Sequence, residues 1–82
     1  LVPAYAGRGY ALQRLGRNTE AEADSATALA LDPDNPLALL TRALLRETTD
    51  RDAALADLTR ALALGLMSPV AEDLRRRLIV RR

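Results

Sequence analysis

The chain has 82 residues, 49% of them apolar, with twelve basic residues against eleven acids, a net charge of +1 and neither Cys nor His. That length allows one small domain at most. The missing thiols and imidazoles exclude disulfide staples, Cys or His catalysis, thiolate and imidazole metal sites and the ordinary histidine pH switch.

Ala and Leu dominate, Val and Ile are scarce, and the aromatics are Tyr5 and Tyr10 alone, so helix is favoured over sheet. A first helix is predicted over 3–15, with Pro3 near its start and Gly16 at the left-handed position that ends it. A second covers 19–31, where Thr19 and Glu22 have capping-box spacing. Asp32-Pro33-Asp34-Asn35-Pro36 stops it and opens a third over 36–47, with Asn35 as N-cap. Thr48-Thr49-Asp50 is a polar turn before a fourth helix over 51–64, which Gly65 terminates. Ser68 caps a fifth that begins at Pro69. Gaps this short force neighbouring helices antiparallel.

The halves of the chain repeat one another. Arg8-Gly9 matches Arg42-Ala43 at an offset of 34, while Ala21, Asp24 and Ala28-Leu29-Ala30-Leu31 match Ala54, Asp57 and Ala61-Leu62-Ala63-Leu64 at 33. The second copy is therefore one residue shorter between its halves. A fixed period of this length marks stacked helical hairpins that bury their apolar faces on one another. Small residues at Gly9, Ala43, Ala21, Ala28, Ala54 and Ala61 let the helix axes approach closely. Tyr5, Leu12, Leu31, Leu58, Leu62 and Leu64 are expected to fill the space around them. Arg8 with Asp24, and Arg42 with Asp57, are expected to form repeated ion pairs, and Arg75 continues the Arg series.

These residues carry a resemblance. Ala4-Tyr5, Arg8-Gly9, Leu12, Gly16, Glu20-Ala21 and Ala28-Leu29 closing on Asp32-Pro33 resemble a tetratricopeptide repeat. Thr41-Arg42-Ala43, Ala54, Asp57 and Ala61-Leu62 resemble the same family more loosely. Leu39 stands for the aromatic there, Arg46 for a large apolar residue, and Gly65-Leu66 for Asp-Pro. The resemblance implies an all-α fold of two antiparallel helix-turn-helix repeats, 3–34 and 35–66, in a right-handed superhelical stack. Residues 67–82 form a capping helix or the first half of a third repeat.

The same resemblance implies a concave groove lined by the first helices. Its candidate residues are Ala6, Tyr10, Gln13 and Arg14 from helix one, and Leu37, Leu40, Thr41 and Leu44 from helix three. Glu47, Val70, Asp73 and Arg77 extend it. Tyr10 beside Leu37, Leu40 and Leu44 makes an apolar strip suited to a partner helix or an extended peptide. Because helix three is Leu-rich all round, Leu40 and Leu44 are equally open to a core role. The carboxylate clamp known in the family needs Lys and Asn where this chain has Ala6, Tyr10, Thr41 and Leu44, so no clamp is expected.

No catalytic or cofactor site is expected either. Asp32-x-Asp34 begins like a calcium loop, but its sixth and twelfth positions are Leu37 and Ala43 rather than Gly and Glu. Ser25 and Ser68 have no histidine to activate them. Arg75-Arg76-Arg77 and Arg81-Arg82 give residues 69–82 a charge of +3 (five Arg, two acids), against −2 for 1–34 (three Arg, five acids). No aromatics interleave with them, so nucleic acid is not the expected partner. The functional expectation is a non-catalytic, cytoplasmic module that binds a protein or peptide. Beginning at Leu1 rather than Met, it is expected to belong to a longer scaffold protein. The alternative is a homo-oligomerisation segment that dimerises through its apolar strip or stack end. No membrane partner is expected, since no apolar run reaches the ~20 residues of a span.

Overall fold

The architecture follows from where the backbone is allowed to turn. In a computed structural model that describes residues 1–80, five helices run in order: α1 Val2–Arg14, α2 Asn18–Leu31, α3 Pro36–Arg46, α4 Arg51–Ala63 and α5 Pro69–Val80. The described residues contain no strand, so the fold is all-α. Gly16 and Gly65 hold φ of 82° and 99°, a region closed to most side chains. At each glycine the helix ends in the same pair of backbone hydrogen bonds. Gly16 N–H donates to Gln13 O at 3.0 Å and Arg17 N–H to Leu12 O at 2.9 Å. Gly65 N–H donates to Leu62 O at 3.0 Å and Leu66 N–H to Ala61 O at 3.1 Å.

The starts are set by short polar side chains. Asn35 accepts from Ala38 N–H at 2.9 Å, Asp50 from Ala53 N–H at 3.1 Å and Ser68 from Ala71 N–H at 3.3 Å, satisfying donors at three helix N-termini. The expected cap at Thr19 does not form. The glycine turn leaves only Arg17 as a linker, so α2 opens at Asn18 with Thr19 already inside its first turn. Arg17 instead forks onto Glu20 at 2.7 and 2.9 Å.

α1 packs along α2 and α3 along α4, and α3 also lies against both α1 and α2. Small residues allow this closeness. Ala21, Ala28, Ala54 and Ala61 are fully buried, and a Cβ at Gly9 would stand 3.2 Å from Asp24 Cβ. Two apolar clusters result. Ala6, Ala28, Leu29, Ala38, Leu39 and Ala61 form one between the pairs. Leu40, Ala43, Leu44, Ala54 and Leu58 form the other, together with Ala71, Leu74 and Leu78 of α5. Of the expected packing residues, Leu58 is fully buried and Tyr5, Leu12 and Leu62 are half-buried. Leu31 and Leu64 are exposed, because the last turns of α2 and α4 overrun the core.

α5 lies back over α3 and α4. Its inner face is Ala71, Leu74 and Leu78, while Glu72, Asp73, Arg75 and Arg76 face solvent as i,i+3 ion pairs. Arg77 forks onto Glu47 at the end of α3 at 2.5 and 3.0 Å. Arg51 of α4 donates to the Leu78 carbonyl. A helix with one apolar and one charged face closes the end of the core.

Candidate interaction surface

The repeated Arg and Asp positions converge in both hairpins. Arg8 holds Asp24 through Nε and Nη2 at 2.6 and 2.8 Å. Arg42 holds Asp57 in the same two-pronged way, both bonds at 2.8 Å. Each carboxylate is buried between its two helices, and each guanidinium reaches it from the surface. Arg75 does not continue the series. No second helix among the described residues follows α5, so it turns to Glu72 on its own helix at 3.3 Å. Arg8 also lies over the Tyr5 ring at 5.8 Å.

The hydrogen bonds from Arg8 hold the Asp24 carboxyl below the usual carboxylate range, and the bond to Asp24 raises the Arg8 guanidinium in turn. Pairing with Asp57 likewise raises Arg42, and pairing with Glu47 raises Arg77. The folded chain thus binds a proton at Asp24 less readily than the unfolded chain does. This carboxylate contributes stability above pH ~4, which is lost as pH falls through its folded value. Asp24→Asn is expected to flatten the decline in melting temperature on acidification below about pH 4, read by circular dichroism melts across that range.

The eight candidate groove residues divide by burial. Ala6, Leu40, Thr41 and Leu44 lie inside, with Leu40 and Thr41 at 0% exposure and Leu44 at 7%. Leu40 and Leu44 belong to the cluster closed by α5, and the Thr41 hydroxyl is spent on Leu37 O at 3.1 Å. These four side chains have no surface to offer a partner. For the three on α3, the helix meets α1 and α2 on one side and α4 and α5 on the other, and Ala6 of α1 is covered in the cluster with Ala28, Leu29, Ala38 and Leu39. Tyr10, Gln13 and Leu37 are half-buried and Arg14 is exposed. Tyr10, Leu37 and Val70 all rest on the cluster of Leu40 and Leu44. Of the candidate residues, Tyr10 and Leu37 thus keep part of their apolar surface over that cluster, as Val70 does, with Gln13 and Arg14 further along α1.

The structure adds a feature outside that strip. A crevice of about 470 Å³ separates the hairpins, lined by Glu22, Ser25 and Ala26 of α2, by Arg42, Leu45 and Arg46 of α3, and by Thr49 and Asp50. It opens where the copies differ. Ser25 stands where the second copy has the fully buried Leu58, and Arg46 where the first has Leu12. Arg46 reaches Asp57 at 3.4 Å as a second cation on one carboxylate. Position-by-position comparison of the copies is the signal that locates this crevice.

Arg75, Arg76 and Arg77 each engage an acid of this chain, namely Glu72, Asp73 and Glu47. Arg81 and Arg82, the other part of the basic tail, lie outside the described residues. No helix among the described residues is long and apolar enough to cross a membrane. Comparison with family models, with curated proteins and with solved structures finds no match.

Proposed function

We propose that this chain is a tetratricopeptide-like helical-repeat module, part of a larger scaffold, that holds a protein or peptide partner without catalysis. One observation carries the reading: the same Arg–Asp fork recurs at the same place in two hairpins, and the first helix of the second hairpin lies on both helices of the first. A repeat that stacks in this way gives an extended surface rather than a reaction centre. The partner fits along Tyr10, Leu37 and Val70, where an apolar side chain covers half-buried carbons. The Gln13 amide and Arg14 guanidinium lie alongside to hydrogen-bond a backbone or a carboxylate. A cytoplasmic setting is part of the same proposal.

Panning a random peptide library on the immobilised chain tests this. Enriched peptides are expected to carry an apolar anchor and to lose capture on Tyr10→Ala by about tenfold or more, the scale of an aromatic hot spot. That variant should keep the parent's helical circular dichroism signal and a single cooperative transition, melting several degrees lower for the packing that Tyr10 gives the core. Capture that survives Tyr10→Ala counts against the strip. Self-association is the second reading, supported by the high exposure of Leu1, Leu15 and Met67.

A further inference from the structure

Around the crevice between α2 and α3, the two hairpins exchange apolar residues for polar ones. Glu22, Ser25 and Arg46 line it, and the other copy carries Leu at all three places, namely Leu55, Leu58 and Leu12. A carboxylate, a small hydroxyl and a guanidinium thus stand where the repeat elsewhere has Leu. Ser25 leaves the hole. Leu58 is fully buried at its own site, whereas the Ser25 side chain ends in a hydroxyl that turns back onto Glu22 O at 3.1 Å. Beside it, Ala26 and Leu45 contribute carbon to the lining.

The charges here are of both signs and come from different helices. Arg42 takes both oxygens of Asp57 at 2.8 Å, so Arg46 is left with a single contact to that carboxylate at 3.4 Å. The other N–H groups of Arg46 make no hydrogen bond among the described residues. On the α2 side, the Glu22 carboxylate makes no hydrogen bond or ion pair among the described residues. Asp50 adds a second carboxylate, with one oxygen spent on Ala53 N–H at 3.1 Å.

We propose that this crevice binds a free apolar α-amino acid as its zwitterion, with the carboxylate on Arg46, the ammonium on Glu22 and the side chain over Ser25, Ala26 and Leu45. Charge selects the class. A phosphate or other dianion would meet the carboxylates of Glu22 and Asp50, and a simple cation would meet Arg42 and Arg46. A zwitterion sets one charge against each helix. The flat guanidinium of Arg46 suits a carboxylate at two points. Drawing it away from Asp57 costs little, because Arg42 keeps both oxygens of that group satisfied. The ligand's side chain then supplies from outside the bulk that Leu58 supplies in the second hairpin. The crevice, at about 470 Å³, falls within the ~300–1,000 Å³ of small-molecule sites. It shares no residue with the Tyr10 strip, so the proposal goes beyond partner capture and adds a small ligand to the module.

Titration of L-leucine into the isotope-labelled 82-residue chain, read by backbone amide shifts, tests this directly. Saturable shifts are expected at Glu22, Ser25, Leu45 and Arg46, with a dissociation constant on the order of 1 mM for so small a ligand. N-acetyl-L-leucine lacks the ammonium and L-leucinamide lacks the carboxylate. Each should bind about tenfold more weakly or worse, the loss of one charge-assisted contact. Ser25→Leu fills the crevice with the residue of the second copy and should abolish the shifts. Glu22→Gln changes an exposed side chain, so it should keep the helical circular dichroism signal and weaken binding by the same factor as acetylation. A parent chain with no saturable shifts, or with shifts centred elsewhere, overturns the proposal. So does N-acetyl-L-leucine bound as tightly as L-leucine, or binding undiminished in Glu22→Gln. Peptide capture by the Tyr10 strip is read separately, so failure here leaves that measurement standing.

Discussion

Leu44→Glu is expected to leave the chain unfolded at room temperature, with the helical circular dichroism signal and the cooperative urea transition both lost. Leu44 is 7% exposed, in the cluster where α3 meets α4 and α5. Removing its side chain alone costs about 2–5 kcal/mol. A carboxylate left without a partner among Leu40, Leu58 and Leu74 adds several more, or forces the group to stay protonated. Against this stands a total stability of about 4–12 kcal/mol for a chain of this length. The outcome also decides where Leu44 acts. A soluble, fully folded Leu44→Glu protein would return this residue to a solvent-facing groove and would require α5 to sit elsewhere.

The second large effect is expected at Asp57. Asp57→Ala leaves two guanidiniums, Arg42 and Arg46, facing a space between α3 and α4 from which their counter-charge has gone. Charge-assisted hydrogen bonds of this kind contribute about 1.5–3 kcal/mol each when shielded. Arg42 is two-thirds covered, so a loss of about 2–3 kcal/mol is expected in urea unfolding. Asp24→Ala removes the matching fork of the first hairpin and should cost less, because Arg8 stands mostly in water and regains its hydration. Equal losses at the two sites would mean that the exposure of the arginine is not what sets the strength of the fork.

Much of this molecule is legible in the residues because its turns are written in chemistry that acts locally. Gly16, Asn35, Asp50, Gly65 and Ser68 each mark a helix end within a residue or two, since a left-handed φ or a capping oxygen serves the backbone beside it. The Arg–Asp forks were readable for a different reason. Both partners recur at matching positions of two copies, so the pairing is stated twice. Thr19 shows where local reading fails, because the three-residue turn after α1 decides which residue enters α2 first. Leu40 and Leu44 show the larger failure. Leu37, Leu39, Leu40, Leu44 and Leu45 apolarise every side of α3, and no periodicity within that helix tells which side a neighbour covers. The answer comes from α5, some thirty residues later, which returns to lay Ala71, Leu74 and Leu78 against it.

α5 closes one end of the helical core, and the proposed function leaves the Tyr10 strip free for a foreign partner. Light scattering during size exclusion, over about a hundredfold range of concentration, tests it most directly. A constant molar mass near 8.9 kDa is the expected result, with α5 serving as the cap and Met67, Leu1 and Leu15 exposed but unpaired between copies. A mass that climbs toward twice that value with concentration would mean that copies of the chain pair with one another. The apolar surface would then be the chain's own interface, and homo-oligomerisation would replace partner capture as its function.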